Sequence, residues 1–285
     1  MPGQRVTMDF PDFQFLFDET PRWHSAELKS VWFRRPGKPF EDIAPELRPP
    51  SPVLRYVEDQ WHSLFEGLRE VPDVLWINDP SKNHDAECKI RQLRVAQEVG
   101  FQIPRTCITT SKDTAVRFFE ECRQQIIAKA LYSPLIEYDD KDYFIFTSLV
   151  NTFANVSEEE FGISPTVFQE LLAPKTDYRA TIVGKHCFAC AIESSDNISM
   201  PVDWRVKKTG VNFTPVEIPE EISEKCKGLV RGLGLVFGAI DLARVGDEFF
   251  FLEINPNGEW GWLQGKFPIA ETLCEYLMAG LNHDP

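Results

Sequence analysis

The stretch from Phe237 to Trp262, FGAIDLARVGDEFFFLEINPNGEWGW, constrains the chain more than any other. Two very apolar runs meet at a tight Val245-Gly246-Asp247 turn and read as a β-hairpin. They carry Asp241, Glu253 and Asn255 at positions where a core strand normally has no oxygen-bearing side chain. Strict alternation puts Asp241 on one face with Ala239 and Ala243, and Glu253 on one face with Asn255, Phe251 and Phe249. Ionised groups are costly to bury unpaired, so such a cluster needs a counter-ion. Hard oxygen ligands suit magnesium, which shares its coordination shell with substrate phosphates. The competing reading is an edge hairpin whose acidic residues face water. The density of aromatics, the alternation and the Asn255-Pro256-Asn257-Gly258 run favour the metal.

A chain of 285 residues can bury a large core in one to three domains, and 43% hydrophobic with 26% charged residues is an ordinary globular composition. The net charge of -14 argues against a general nucleic-acid or anionic-membrane binder, so a polyphosphate must be met by a local group of Lys and Arg. Seven cysteines without regular spacing read as reduced thiols of a cytoplasmic protein. Cys187 and Cys190 form a C-x-x-C inside an apolar strand, where residues three apart face opposite ways, so the pair is a weak metal or redox signal. The opening MPGQRVTMDF lacks a basic segment followed by an apolar run, and no stretch reaches ~18 apolar residues, so neither export nor membrane spanning is expected.

Along the chain, 12–17 and 30–34 read as aromatic-rich strands, the six prolines between Pro36 and Pro52 as an irregular loop, and 53–70 as a helix bearing Val57, Trp61, Leu64 and Leu68. Strand 73–78 completes a small α/β unit, bounded by a polar Asp79–Asp85 loop. A helix from Ala86 ends at a Gly100 cap, strand 105–110 follows, then a helix capped by Ser111 or Asp113 carrying Val116, Phe119 and Cys122. Lys129 stands alone in the apolar strand 126–131, pointing with Ile127 and Leu131, where an amine needs an anion. Strands 143–150, 166–172, 178–183 and 186–192 come next, the last two joined by Gly184-Lys185, before a polar loop over 196–212. A long helix from Pro219 to Gly234 leads into the hairpin, and a helix over 269–281 closes the chain.

The unusual positions are thus Lys89, Lys129, Gln169-Glu170, Arg179, Arg205, Asp241, Glu253 and Asn255. Two lysines and two arginines converging on a triphosphate, with the acidic set holding bridging metal ions, would make a nucleotide site. The sequence has neither a G-x-x-x-x-G-K-[ST] loop nor a G-x-G-x-x-G after its first strands. Each residue also has a plainer reading: Lys89 as a solvated helix lysine, Arg179 as a sheet-surface partner of Asp177, and Arg205 as a loop cation paired with Asp203. Trp204, Trp260 and Trp262 read as packing residues, and the five dispersed histidines suggest no zinc site or triad.

From Val31 to Leu281 the chain resembles the ATP-grasp superfamily, and within it the ligases that macrocyclise ribosomal peptides of the microviridin or graspetide type. The resemblance rests on VWFRR at 31–35, WIN and AECKIRQLRVAQEVGFQIPRTCITT within 76–110, FQELL with DYRATIVGKHCFA within 168–189, DWR at 203–205, and LEINPNGEWGWLQ at 252–264 coupled to GAIDL. It implies an α+β fold: a small α/β N-terminal pre-ATP-grasp domain (1–82), a central subdomain (83–167) and a C-terminal subdomain with an antiparallel sheet (168–285). It also implies ATP and Mg2+ as cofactors. Lys89 and Lys129 would contact phosphates, Gln169, Glu170, Leu171 and Leu172 would form the cofactor-binding hinge at the adenine, Arg179 and Arg205 would be catalytic at the γ-phosphate, and Asp241, Glu253 and Asn255 would hold the metal.

The reaction implied is attack of a carboxylate on the γ-phosphate, then displacement of phosphate from the acyl phosphate by an amine or hydroxyl. The substrate implied is a precursor peptide with a leader segment, and a homodimer is an assembly compatible with it. Two departures stand out. The Lys129 strand leads into LYSPLIEYDDK at 131–141, free of the glycines usual in a phosphate-covering loop, which favours the peptide-macrocyclising branch over D-alanine:D-alanine ligase or ribosomal-protein glutamate ligase. The strand-helix unit expected before Asp12 is missing or reduced. Two alternatives remain: a carboxylate-amine ligase acting on a small molecule or adding amino acids to a protein, and a nucleotide-binding regulatory protein without turnover.

Overall fold

The structure is a computed structural model that describes residues 6–9, 14–17, 23–34, 36–37, 39–41, 43–132, 134–137, 142–194, 202–207 and 209–282. The chain opens with an antiparallel meander of β1 (Val6–Asp9), β2 (Gln14–Phe17) and β3 (Trp23–His24). Of these only β2 is foreseen in the sequence, and Asp12 and Phe13 of that expected strand lie outside the described residues. The expected α/β unit follows as β4 (Ser30–Trp32), α1 (Ser51–Gly67) and β5 (Leu75–Ile77), with β4 and β5 parallel. Pro50 and Pro52 stand at the start of α1, where the first backbone N–H groups have no intrahelical acceptor to lose.

The Asp79–Asp85 segment, expected as a loop, is the helix α2 (Pro80–Ala86). Asp79 accepts from the Lys82 N–H and Pro80 takes the first turn, a capping signal that the polarity of the stretch hides. The expected helix from Ala86 therefore begins later, as α3 (Lys89–Glu98) after a break at Glu87-Cys88. It ends at Gly100, whose φ of 86° lets Phe101 N–H reach back to the Ala96 carbonyl. After β6 (Thr106–Thr109), Ser111 rather than Asp113 caps α4 (Lys112–Glu121). The buried face of α4 is Ala115, Phe118 and Phe119, with Cys122 packed against it; Phe119 and Cys122 are inside as expected, and Val116 is outside.

Strand β7 (Ile126–Lys129) stops two residues short of the expected end, and β8 (Leu135–Glu137) follows. The single strand expected over 143–150 is two, β9 (Asp142–Phe144) and β10 (Ser148–Val150), because β9 pairs with β8 in a hairpin while β10 pairs with β7. After the short α5 (Glu158–Phe161), β11 (Thr166–Glu170) lies between β7 and β6. The resulting antiparallel sheet has the order β10-β7-β11-β6, and its core holds Phe118, Phe119, Phe153 and Phe168.

The remaining elements are β12 (Thr176–Val183), β13 (His186–Ser194), β14 (Val211–Pro215), α6 (Glu220–Gly232), β15 (Phe237–Val245), β16 (Glu248–Asn255) and α7 (Ile269–Ala279). The strands form an antiparallel sheet in the order β14-β13-β12-β15-β16. One face buries Tyr178, Ala180, Ile182, Ile240 and Leu242 against Val95 and Ala96 of α3 and Leu229 and Val230 of α6. The other packs Val183, Cys190 and Phe237 against Leu273 and Tyr276 of α7 and Ile77 of β5. Cys187 lies with the first cluster and Cys190 with the second, as strand alternation requires. Strand β14 begins in the last two residues of the segment expected as a loop and is not foreseen in the sequence: its short Val211-Asn212-Phe213 alternation pairs only at the edge of the sheet. Among the described residues no helix is long and apolar enough to cross a membrane.

Candidate active site

The hairpin does not keep strict alternation. Asp241 opposes Glu253 but Leu242 opposes Phe251, so Leu252 is an extra residue, a β-bulge in β16. The bulge shifts the phase of the strand by one. Phe249, Phe251 and Ile254 all enter the core under α3 and α6, while Glu253 turns to the face of Asp241. The expected grouping of Glu253 with Phe249 and Phe251 is therefore corrected: on that face the carboxylate would lie in an apolar core.

Asp241 and Glu253 border a cleft of about 710 Å3, open to solvent, between the two sheets. Ile127 and Lys129 of β7, Gln169 and Glu170 of β11 and the following Leu171 and Leu172 form one wall; Asp177, Asp241, Leu252, Glu253 and Arg205 form the other. A second compartment shares Lys129, Thr147, Arg205 and Glu253 and extends past Lys89 and Asn255. The residues singled out in the sequence thus lie around one space, with Arg179 just behind it through its bond to Asp241.

Each charge has a defined partner. Lys89 Nζ donates to Glu253 Oε2 at 2.9 Å, and Arg205 Nη1 lies 3.7 Å from Glu253 Oε1. Burial raises the Glu253 pKa, but Lys89, Lys129 and Arg205 outweigh it and hold the carboxyl at about 2. Burial pulls the Lys129 amine down to about 8, with Glu253 as its main stabilising charge, the anion that an apolar strand lysine needs. Arg179, 8% exposed, donates from Nε to Asp241 Oδ1 at 2.7 Å and from Nη2 to Oδ2 at 3.3 Å. Burial still leaves the Asp241 pKa raised. The partner of Arg179 is therefore Asp241 across the β12–β15 register, and Asp177 is taken by Lys175.

Arg205 does pair with Asp203, through Nε and Nη2 at 2.8 Å each, and this pairing raises its pKa. The pairing aims the guanidinium rather than consuming it, because Nη1 remains directed at Glu253. Asp203 is 5% exposed and also accepts from Thr147 N–H, which ties the Arg205 loop to the segment before β10. Glu170 turns its side chain back to Arg105 N–H, and Gln169 donates its amide to Thr106 at 2.9 Å. The hinge consequently offers backbone to the cleft: Leu172 N–H has no hydrogen-bond partner among the described residues.

Two side chains escaped the sequence reading. Lys175 lines the cleft and bonds Asp177, but as the residue just before β12 it looks like any surface lysine. Asn78, 2% exposed, accepts from Val236 and Phe237 N–H and donates to the Phe237 and Pro256 carbonyls, fastening the start of β15 to the turn beyond Asn255. Its WIN context was visible; its partners, about 160 to 180 residues away in sequence, were not.

The donor set Asp241, Glu253 and Asn255 fits a hard divalent cation: two carboxylates face each other across the strand pair, and the Asn255 Oδ1 is oriented by the Asn257 N–H at 2.9 Å. These residues would hold Mg2+, which neutralises phosphate charge when bound. Four cations, Lys89, Lys129, Arg179 and Arg205, surround them. The protein's own contribution is to hold these charges rigid and partly desolvated, where they act most strongly on a polyphosphate.

A cleft between two antiparallel sheets, walled by a hinge and floored by a carboxylate hairpin, is the architecture of the ATP-grasp ligases, and this chain has that fold. No family model and no curated protein matches the sequence. Solved structures narrow the class. A RiPP-associated ATP-grasp ligase of Chryseobacterium gregarium, in complex with ADP and a leader and core peptide, aligns at TM-score 0.83 with 25% identity over 99% of this chain and 85% of that one. The macrocyclase MdnC of Microcystis aeruginosa MRC, bound with the precursor peptide MdnA, aligns at TM-score 0.81 with 25% identity over 96% of this chain and 86% of that one. The macrocyclase MdnB of the same organism aligns at TM-score 0.72 with 26% identity, over 96% of this chain and 85% of that one. The chain thus has the ATP-grasp fold and is similar in structure to RiPP-associated ATP-grasp ligases, the class to which its motifs pointed.

Proposed function

We propose that this protein is an ATP- and Mg2+-dependent peptide ligase. It activates Asp or Glu side-chain carboxylates of a ribosomal precursor peptide as acyl phosphates and joins them to Lys side chains as amides or to Ser or Thr side chains as esters, forming macrocycles. The observation that carries the reading is the gathering of Lys89, Lys129 and Arg205 about Glu253, with Arg179 on Asp241, in one cleft of a fold shared with peptide-bound ATP-grasp ligases. Lys89 and Lys129 are assigned to the phosphates, and Arg179 and Arg205 to the γ-phosphate and the acyl phosphate. Gln169, which lines the cleft, is assigned to the cofactor with Glu170, Leu171 and Leu172, whose backbone takes the adenine edge, and Asp241, Glu253 and Asn255 hold Mg2+. The leaving phosphate makes the carbonyl reactive, so positioning and charge neutralisation supply most of the catalysis.

The division into 1–82, 83–167 and 168–285 is carried forward as part of this reading. A leader segment of the precursor, bound apart from the modified core, and a homodimer are further parts of it. Seven free cysteines support a reducing, cytoplasmic setting. The test is incubation with ATP, Mg2+ and an acidic-core precursor peptide, read by mass spectrometry and ADP release. Loss of one water mass per crosslink with matching ADP is expected. A mass gain would identify an amino-acid-adding ligase, and an intact peptide with no ADP would exclude ligation of that peptide class.

A further inference from the structure

Strand β16 lies at an edge of its sheet, and an edge strand leaves backbone N–H and C=O groups unpaired. On β16 other parts of the chain close that edge. Phe251 N–H donates to the Gln102 carbonyl at 2.9 Å. Ile254, the residue between Glu253 and Asn255, gives both of its backbone groups to one carboxamide: its N–H donates to Gln92 Oε1 at 3.1 Å, and its carbonyl accepts from Gln92 Nε2 at 2.9 Å. Gln92 Nε2 also donates to the Ala86 carbonyl at 2.7 Å, where α2 ends. At 3% exposure this amide has almost no contact with water, so its bonds have no easy substitute. One turn earlier on the same helix, Lys89 bonds the Glu253 carboxylate. A single turn of α3 therefore holds the carboxylate and also the two peptide units that join Glu253 through Ile254 to Asn255.

We propose that Gln92 is a positioning residue for the divalent-metal site: its carboxamide stands in for a neighbouring strand, fixes the two peptide units that flank Ile254, and so sets the directions in which Glu253 and Asn255 project. The inference rests on the reading of Asp241, Glu253 and Asn255 as the metal-holding set. Turning the 253–254 plane rotates the backbone bond on which the Glu253 side chain rides, and turning the 254–255 plane does the same for Asn255. Methionine matches glutamine in length but offers neither strong donor nor strong acceptor, leaving the Ile254 groups without their partner. Outer partners of metal ligands typically change metal affinity by about 10- to 100-fold when removed.

The experiment measures Mn2+ binding to the full chain in the presence of ADP by electron paramagnetic resonance, beside the melting temperature of each variant. Gln92→Met is expected to bind Mn2+ about tenfold more weakly. Ala96→Gly, on the same helix and with no contact to Ile254 backbone, lowers the melting temperature but is expected to bind Mn2+ as the parent does. Gln92→Asn, which keeps the amide one methylene short of its partners, serves if the methionine variant does not fold and is expected to weaken binding likewise. Parent-like Mn2+ binding by the Gln92 variants, or an equal loss in Ala96→Gly, would overturn the positioning role. Glu253→Gln separates the two levels: weakened binding there with parent-like binding in Gln92→Met removes only the positioning role, whereas unchanged binding in Glu253→Gln removes the metal-site reading and the positioning role with it.

Discussion

Lys129 shows how a single side chain can carry opposite demands from folding and from function. Its amine is pulled down to about 8 by burial, and Lys89 and Arg205 add to that pull while Glu253 opposes it. Between about pH 8 and the ordinary lysine value near 10.4, the unfolded chain binds more protons than the native one. The Lys129 contribution to stability therefore rises with pH across that window. Phosphate binding runs the other way, because it needs the ammonium form. The expected outcome is a kcat/KM for ATP that falls as pH rises through about 8, measured by ADP release. Lys129→Arg, which stays charged, should abolish that limb; an unchanged limb in the variant would assign the titration to another group. Glu253 is shifted in the same direction: held at about 2, it contributes stability above the ordinary carboxylate value, and that contribution is lost progressively as pH falls from there through about 2.

At the scale of elements, the hairpin works because two close approaches shape it. The bulge at Leu252 turns Glu253 out of the core, and the turn after Asn255 is pressed against β15. A Cβ on Gly258 would come within 2.2 Å of the Ala239 Cβ, while Gly258 N–H donates to the Asn255 carbonyl at 3.1 Å. Gly258→Ala must therefore push the turn away from β15 and move Asn255. We expect a loss of about 1–3 kcal/mol in urea unfolding, as for overpacked cores, together with a rise in the Mg2+ concentration needed for half-maximal ADP release. An equal loss of stability with unchanged Mg2+ dependence would detach the turn from the metal site.

At the scale of the whole molecule, the first third of the chain is locked to the last by Asn78. Its amide serves Val236, Phe237 and Pro256, and Ile77 beside it joins the cluster under α7. Asn78→Ala would leave several buried backbone groups unpaired, each worth about 1–3 kcal/mol, so a loss of roughly 3 kcal/mol or more in equilibrium unfolding is expected. Asn78→Asp keeps the acceptor for the two N–H groups and should lose less, provided that the measurement is made where the acid is protonated.

What the sequence by itself determined is local and chemical. The hairpin with its three oxygen-bearing side chains, the lone lysine of β7, the glycine-capped helices α3 and α6, and the motifs that carry the ATP-grasp resemblance all depend on residue type and near spacing, which survive without coordinates. What only the tertiary structure decided depends on partners far away in the chain. Alternation has no term for an extra residue, so the bulge that separates Glu253 from Phe249 and Phe251 appears only in the register with β15. Polarity hid α2 behind a loop-like Asp79–Asp85, and short alternation hid β14, because each is held by packing against elements elsewhere. Sequence proximity offered Asp177 as the partner of Arg179, and only the pairing of β12 with β15 brings Asp241 across from it. Gln92 and Asn78 are the extreme case: as residues they are ordinary amides, and their part in holding the site arises from backbone groups brought to them by the fold.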